Sequence, residues 1–446
     1  MMPMPSYAEK VKQLSDQLVQ IQRPIQILDA IKWPKTIESR FFEQGAKVLP
    51  EIDDDYYQQQ PLSFSVSDKQ QQLIHWISSV KRSLGLHDPL GKILRETAEQ
   101  YLIVLDLLKN RGQPKFLTYS RQLYGSARDH LYGDQKTLFE LAERLCRIFS
   151  LPSAQRLSQT HERNIDASTA VELLKHRLTH YFTQGEVNVI LSDGIVSDAS
   201  AGGDSIKLNS HSYFSHRDLQ VLEVHEGWVH VGTTLNGRKQ PYATWLSVGS
   251  PRITAVQEGL AVLIETLTFS SFPGRARRIS DRVMAIDMAE RGADFLEVYR
   301  HFVERGLSEG DSYKIAQRVF RGGQVAGGSC FTKDLSYAKG LVETVNFIRS
   351  AITAGVPEIL PMLFVGKVAL EDLPILYEYS LEGLIQMPTY LPALFRDLNG
   401  LYTWFGFSSG INLIDLDKIQ NYFQKLFEHL PISHFSRSKP EDTELE

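Results

Sequence analysis

A histidine, the glutamate beside it and a second histidine five positions on constrain this chain more than any other feature. They are His225, Glu226 and His230, within the stretch SHRDLQVLEVHEGWVHVGT over Ser215–Thr233. Ser215 followed by Asp218 resembles a capping box, with Asp in the usual place of Glu or Gln, so a helix is predicted to start there. Leu219, Leu222 and Val229 supply its apolar face. Two imidazoles holding an ion, next to a carboxylate that takes a proton from the attacking water, is the arrangement of zinc hydrolases, with the usual spacing H-E-x-x-H. On a regular helix, residues four apart differ by about 40° around the axis and residues five apart by about 140°. A straight helix therefore separates His225 from His230. One extra residue in the turn, a π-bulge, restores the common face, and Gly227 is placed to permit it. The alternative is a helix that ends at His230, before Gly232. Either way, the spacing predicts a distorted helix over 225–231.

Two imidazoles need a third ligand. Ser250-Pro251 reads as an N-cap and first helical position, opening a helix through TAVQEGLAVLIETL, residues 254–267. Glu258 lies about two turns in, among Ala255, Val256, Leu260, Leu263 and Ile264. A carboxylate on a buried face needs a cationic partner, and zinc supplies one. Glu265 falls within about 20° of Glu258 around the axis, placed to hydrogen-bond a ligand histidine. A rival pair, His176 and His180, is four apart in HRLTH. No carboxylate follows it, and Lys175 and Arg177 flank it, so a solvated helix face is predicted there.

Composition narrows the class. Lys plus Arg number 48 and Asp plus Glu 53, a net charge of −5, which argues against a nucleic-acid binder. A hydrophobic share of 42% allows a large core, and a charged share of 23% does not fit disorder. Cys146 and Cys330 are too few for a disulfide framework or a four-thiolate zinc site. The first residues lack an apolar signal core, and no apolar run approaches the ~20 residues of a membrane span. A soluble, cytoplasmic protein with no membrane partner is expected.

Helical periodicity dominates the chain: Ser6–Arg23, Leu94–Lys109, Lys136–Phe149 and Thr169–Phe182, the last with Ser168 as N-cap. Glu51–Pro61 reads as a loop. Val187–Leu191 and Ser205–Asn209 read as strands, joined by a polar loop over Ser192–Asp204. Helices resume at about His216 and run to about Leu430. The expected fold is therefore α+β and mostly helical, with a small β element beside the active-site helix. Its expected division is a helical region over 1–160, a catalytic domain over 161–432 and a mobile tail over 433–446, with a polar linker over Ser150–Asp166.

At HEGWVHVGTTLNG, VQEGLAVLIE and FTKDLSYAKG (331–340) the chain resembles the flavohaemoglobin expression-modulating QEGLA-motif proteins. These are relatives of the microtubule-associated tyrosine carboxypeptidases. The resemblance runs from the N-terminal helices to about residue 430. It implies a zincin-like zinc metallopeptidase with His225, His230 and Glu258 as ligands and Glu226 as general base, the four residues already reached from spacing and burial. It also implies a peptide or protein C-terminus, with an aromatic last residue in the animal enzymes, as substrate.

A carboxypeptidase further needs an oxyanion donor and a cation for the terminal carboxylate. Arg321, Lys333 and Tyr337, in and after the glycine-rich stretch RGGQVAGGSC, are the candidates. Ile206–Leu208 is expected to be an edge strand that pairs with substrate. The long loop Gly232–Gly249 is expected to wall the pocket or act as a lid. Tyr377, Tyr379, Tyr402, Trp404, Phe405 and Phe407 read as core. Two other functions fit the same residues: a non-haem iron enzyme using two histidines and one carboxylate, and a non-catalytic regulator of expression.

Overall fold

Helices carry most of the chain, and several of their starts are visible in the sequence. Ser6 with Glu9, Thr137 with Glu140 and Ser215 with Asp218 form capping boxes at Tyr7–Gln22, Leu138–Phe149 and His216–Leu222. This is a computed structural model, and it describes residues 6–427 apart from 160, 412 and 415. The tail expected over 433–446 lies outside the described residues. No described helix is long and apolar enough to cross a membrane.

Short strands interrupt the helices: β1 (Ile165–Asp166), β2 (Asn188–Ser192), β3 (Ala199–Gly202), β4 (Ser205–Asn209) and β5 (Tyr213–Phe214). β1 pairs with β5, and a separate sheet has the order β2–β4–β3. β4 runs parallel to β2 and antiparallel to β3. This corrects one expectation. Ile206–Leu208 is bonded on both sides in the central strand, so it has no free edge for a substrate. The edges are β2 and β3, and β3 lies in the segment read as a loop.

Other local readings also shift. The helix expected over Thr169–Phe182 spans Ala167–Leu178, and Asp166 rather than Ser168 caps it, accepting from the Ser168 and Thr169 N–H groups. Helices Asp54–Gln58 and Pro152–Ser158 form within the expected loop and linker. Gly232–Gly249 is no loop: the helix continues through Arg238, and a 3-10 turn covers Thr244–Ser247. Asn236 is fully spoken for there, its amide donating to the Phe364 and Tyr390 carbonyls and its oxygen accepting from the Tyr390 N–H. Such a buried, bonded segment is structural wall and not a lid. Among the C-terminal aromatics, Phe405 is buried, but Tyr402, Trp404 and Phe407 are exposed, because their helix buries only Leu401 and Phe405.

Apolar side chains gather in three clusters. The first joins Val11, Leu14 and Leu105 to Val224, Val229 and Leu260, so residues on both sides of 160 share it. The third joins Leu178, Ile206 and Leu208 to Leu222, Val231 and Leu235. The helix bearing His225 therefore stands between two cores and is held on both faces.

Candidate metal centre

The helix that starts at His216 changes character at Glu223. Glu223–Val231 is π-helical, and α-helix resumes over Gly232–Arg238. The Gly232 N–H donates to the Gly227 carbonyl, five residues back. Bonds of that register stack residues five apart, which resolves the awkward spacing. The π segment is longer than a single bulge, and the helix does not end at His230. A Cβ on Gly227 would lie 2.6 Å from Leu178 Cδ2, so this glycine also admits the neighbouring helix.

The imidazoles of His225 and His230 then face one another, ring centroids 4.9 Å apart and nearly perpendicular. Glu258, from the helix Pro251–Leu267, completes the group: one donor atom from each residue lies within 4.8 Å of the others. Ser250 stands at the N-cap position of that helix, yet its side chain makes no capping bond. Glu258 Oε2 lies 3.6 Å from His225 Nε2 and 3.7 Å from His230 Nε2. That oxygen is buried and has no hydrogen-bond partner. An orphaned buried carboxylate oxygen facing two imidazole nitrogens is a donor set that fits a cation. Two nitrogens and one oxygen at these separations suit zinc, whose ligand bonds run about 2.0–2.2 Å.

Charged groups of both signs surround these three residues. The other Glu258 oxygen accepts from Lys333 Nζ at 3.1 Å. Burial would raise the Glu258 carboxyl, but Lys333 and the histidines outweigh it and hold it well below the usual carboxylate range. His225 Nδ1 meets Glu265 Oε1 at 2.6 Å. Arg275 fastens Glu265 with two bonds of 2.6 Å. Burial pushes His225 down, but the nearby carboxylates of Glu258 and Glu265 reverse that and raise it to about 9. Glu265, raised by burial and lowered more by Arg275, settles at about 2. On the other side His230 Nδ1 faces Gln257 Oε1 at 3.5 Å, and Lys367 holds that oxygen at 2.8 Å. Desolvation draws the Lys367 ammonium down to about 8.

Glu226 is half-buried, and its Oε2 accepts the Ala201 N–H of β3 at 2.9 Å. Tyr337 stacks on His225 with ring centroids 6.4 Å apart. Lys333 and Tyr337 thus lie beside the three donors, with Lys333 engaged with Glu258. Arg321 is buried behind Phe331, with its Nε unpartnered. Desolvation lowers it to about 10. His176 and His180 both lie exposed, His176 on the helix Ala167–Leu178 and His180 in the turn just past its end. Both cysteines are free and buried, and neither is among the metal donors. Arg275, Gln257, Lys367 and β3 went unread in the sequence. Arg275 sits in the run RARR, indistinguishable there from solvated charge, whereas Gln257 stood in plain view beside Glu258.

Replacing Glu265 by Gln tests the outer support. The variant loses the ion pair with Arg275 and the charge that holds the His225 tautomer. If the three donors hold a metal ion, affinity for added zinc should fall roughly 10- to 100-fold, measured by competition with a chromophoric chelator. Unchanged affinity would remove Glu265 from the site.

Fold and site together define a mostly helical α+β protein in which two histidines and one glutamate form a possible metal-binding group. The chain belongs to the microtubule-associated tyrosine carboxypeptidase family, whose model matches residues 39–413. The QEGLA-motif proteins lie in the same clan. No curated protein matches the chain. Family membership supports an enzyme with peptidase activity.

Proposed function

We propose that this chain is a zincin-like, zinc-dependent carboxypeptidase that removes the last residue of a peptide or protein C-terminus. The observation that carries the reading is the unpartnered Glu258 Oε2 set against the two imidazole Nε2 atoms. His225, His230 and Glu258 would hold the ion. Zinc, when bound, lowers the pKa of water and polarises the scissile carbonyl. Glu226 accepts a proton from the water as its oxygen bonds to the carbonyl carbon. It then delivers that proton to the amine nitrogen as the C–N bond breaks. The Tyr337 hydroxyl, on the ring stacked over His225, is the donor for the oxyanion. Arg321 adds positive charge from behind. The edge of β3, fixed to Glu226 through Ala201, offers backbone groups to an extended substrate.

The test uses the full chain and peptides that differ only in their last residue, with products read by mass spectrometry. Zinc-loaded protein should shorten susceptible peptides by one residue, and a chelator should abolish it. Aromatic endings come first, since the family name specifies tyrosine. Absence of metal-dependent cleavage from every peptide would favour the non-catalytic regulator. Preferential iron binding with oxygen-dependent turnover would favour the iron enzyme.

A further inference from the structure

The helix Pro273–Glu290 carries Arg275, Arg278 and Arg282 on a stripe about 60° wide. The outer two show which way the stripe faces. Arg275 NH2 comes within 3.3 Å of His225 Nδ1. The Arg282 guanidinium lies 4.1 Å from the centre of the Tyr337 ring, which stacks on His225. Both are committed. Arg275 is bound to Glu265. Arg282 rests on Tyr337 and lies 3.8 Å from Asp334, whose two oxygens accept from Arg318 at 2.6 and 2.8 Å.

Arg278 differs from both. It is exposed, and no hydrogen bond or ion pair among the described residues holds it. The carboxylates that act on it through space are Asp198 and Asp311. Asp198 is taken by Arg163 at 2.7 Å and Ser212 at 2.8 Å, with Lys314 at 3.7 Å. Asp311 accepts from the Ser308 hydroxyl at 2.8 Å. Desolvation nevertheless lowers Arg278, with Arg275 and Arg163 adding repulsion. Asp198 directly precedes β3, so Arg278 stands near the start of the strand whose edge adjoins Glu226.

Resting on the carboxypeptidase reading above, we propose that Arg278 receives the substrate's C-terminal carboxylate and so makes the site an exopeptidase. Its planar fork matches a carboxylate with two parallel bonds, and no protein carboxylate competes for it. Arg321 is also unpaired, but only 6% of its surface is exposed, so a substrate reaches Arg278 first.

The experiment compares one peptide as its free acid and as its C-terminal amide, with zinc-loaded full-length protein. Wild type should cleave the acid roughly 10- to 100-fold better in kcat/KM, the scale of a charge-assisted pair. In Arg278→Ala the acid should fall toward the amide, so the ratio approaches one. Arg278→Lys should keep part of the preference, and added guanidine should restore the Ala variant. Metal content and melting temperature should stay at wild-type values. A ratio preserved in Arg278→Ala, or no preference in wild type, overturns the assignment while leaving the peptidase reading intact. If wild type cleaves neither peptide, the peptidase reading fails and this one with it.

Discussion

Glu226→Gln should keep zinc and lose hydrolysis. The substitution is nearly isosteric, and the Gln carbonyl can still accept the Ala201 N–H that Glu226 Oε2 accepts at 2.9 Å. The three metal donors His225, His230 and Glu258 are untouched, so zinc stoichiometry after dialysis should match wild type. What disappears is a group able to take and return a proton. That loss typically costs about 100- to 10,000-fold in rate, and it should appear in kcat more than in KM, because the proton moves only in the transition state. Turnover of a susceptible peptide at the wild-type rate would sink the mechanism. The same variant separates the rivals: an iron site of two histidines and one carboxylate gives Glu226 no task, so its oxygen-dependent chemistry should survive the change.

The metal donors were legible because their chemistry is written in residue types at a spacing that geometry can interrogate. Five-residue separation on a helix has few physical solutions, and the π segment over Glu223–Val231 is one of them. Glu258 was legible because apolar neighbours marked its helix as buried, where a lone carboxylate needs an explanation. β3 was not. Ala-Ser-Ala-Gly lacks the alternation of large apolar and polar side chains that marks a strand, although it supplies the backbone donor to Glu226. The segment after Gly232 misled for the opposite reason. Its Gly, Thr and Asn residues read as loop chemistry, but Thr233 and Asn236 are buried and bonded in a helix, where tertiary partners override weak propensity. Arg275 and Arg278 look alike in sequence. Only the fold distinguishes the one tied to Glu265 from the one left without a partner.

Gly340→Ala should unfold or severely weaken the protein, although it touches no metal donor. Two of the stretches that carry the family resemblance, VQEGLAVLIE and FTKDLSYAKG, meet where the helix Pro251–Leu267 crosses the helix Leu335–Thr353, the most extensive helix contact among the described residues. A Cβ on Gly340 would lie 1.7 Å from the Ala255 carbonyl oxygen, and one on Gly259 would lie 1.9 Å from the Gly340 carbonyl carbon. These are backbone atoms, and a Cβ has no rotamer to turn away, so the helices must move apart. Overpacking of ordinary side chains costs about 1–3 kcal/mol, and a rigid clash with backbone belongs above that range. The melting temperature should fall by roughly 6 °C or more, taking about 2–4 °C per kcal/mol, or soluble protein should be lost. Where the variant survives, zinc affinity should drop too. Separating the helices pulls Glu258, next to Gly259, from Lys333, just before the second helix, and breaks their 3.1 Å contact. Gly310→Ala is the control: it lies in the helix Glu309–Phe320, and an added Cβ there meets nothing within 4 Å. It should leave stability unchanged or raise it by up to about 1 kcal/mol. Equal melting temperatures for the two variants would mean that Gly340 does not set the helix crossing. With the expected difference, Gly340 is there for packing against the Ala255–Gly259 backbone, and that close crossing brings Glu258 within reach of Lys333.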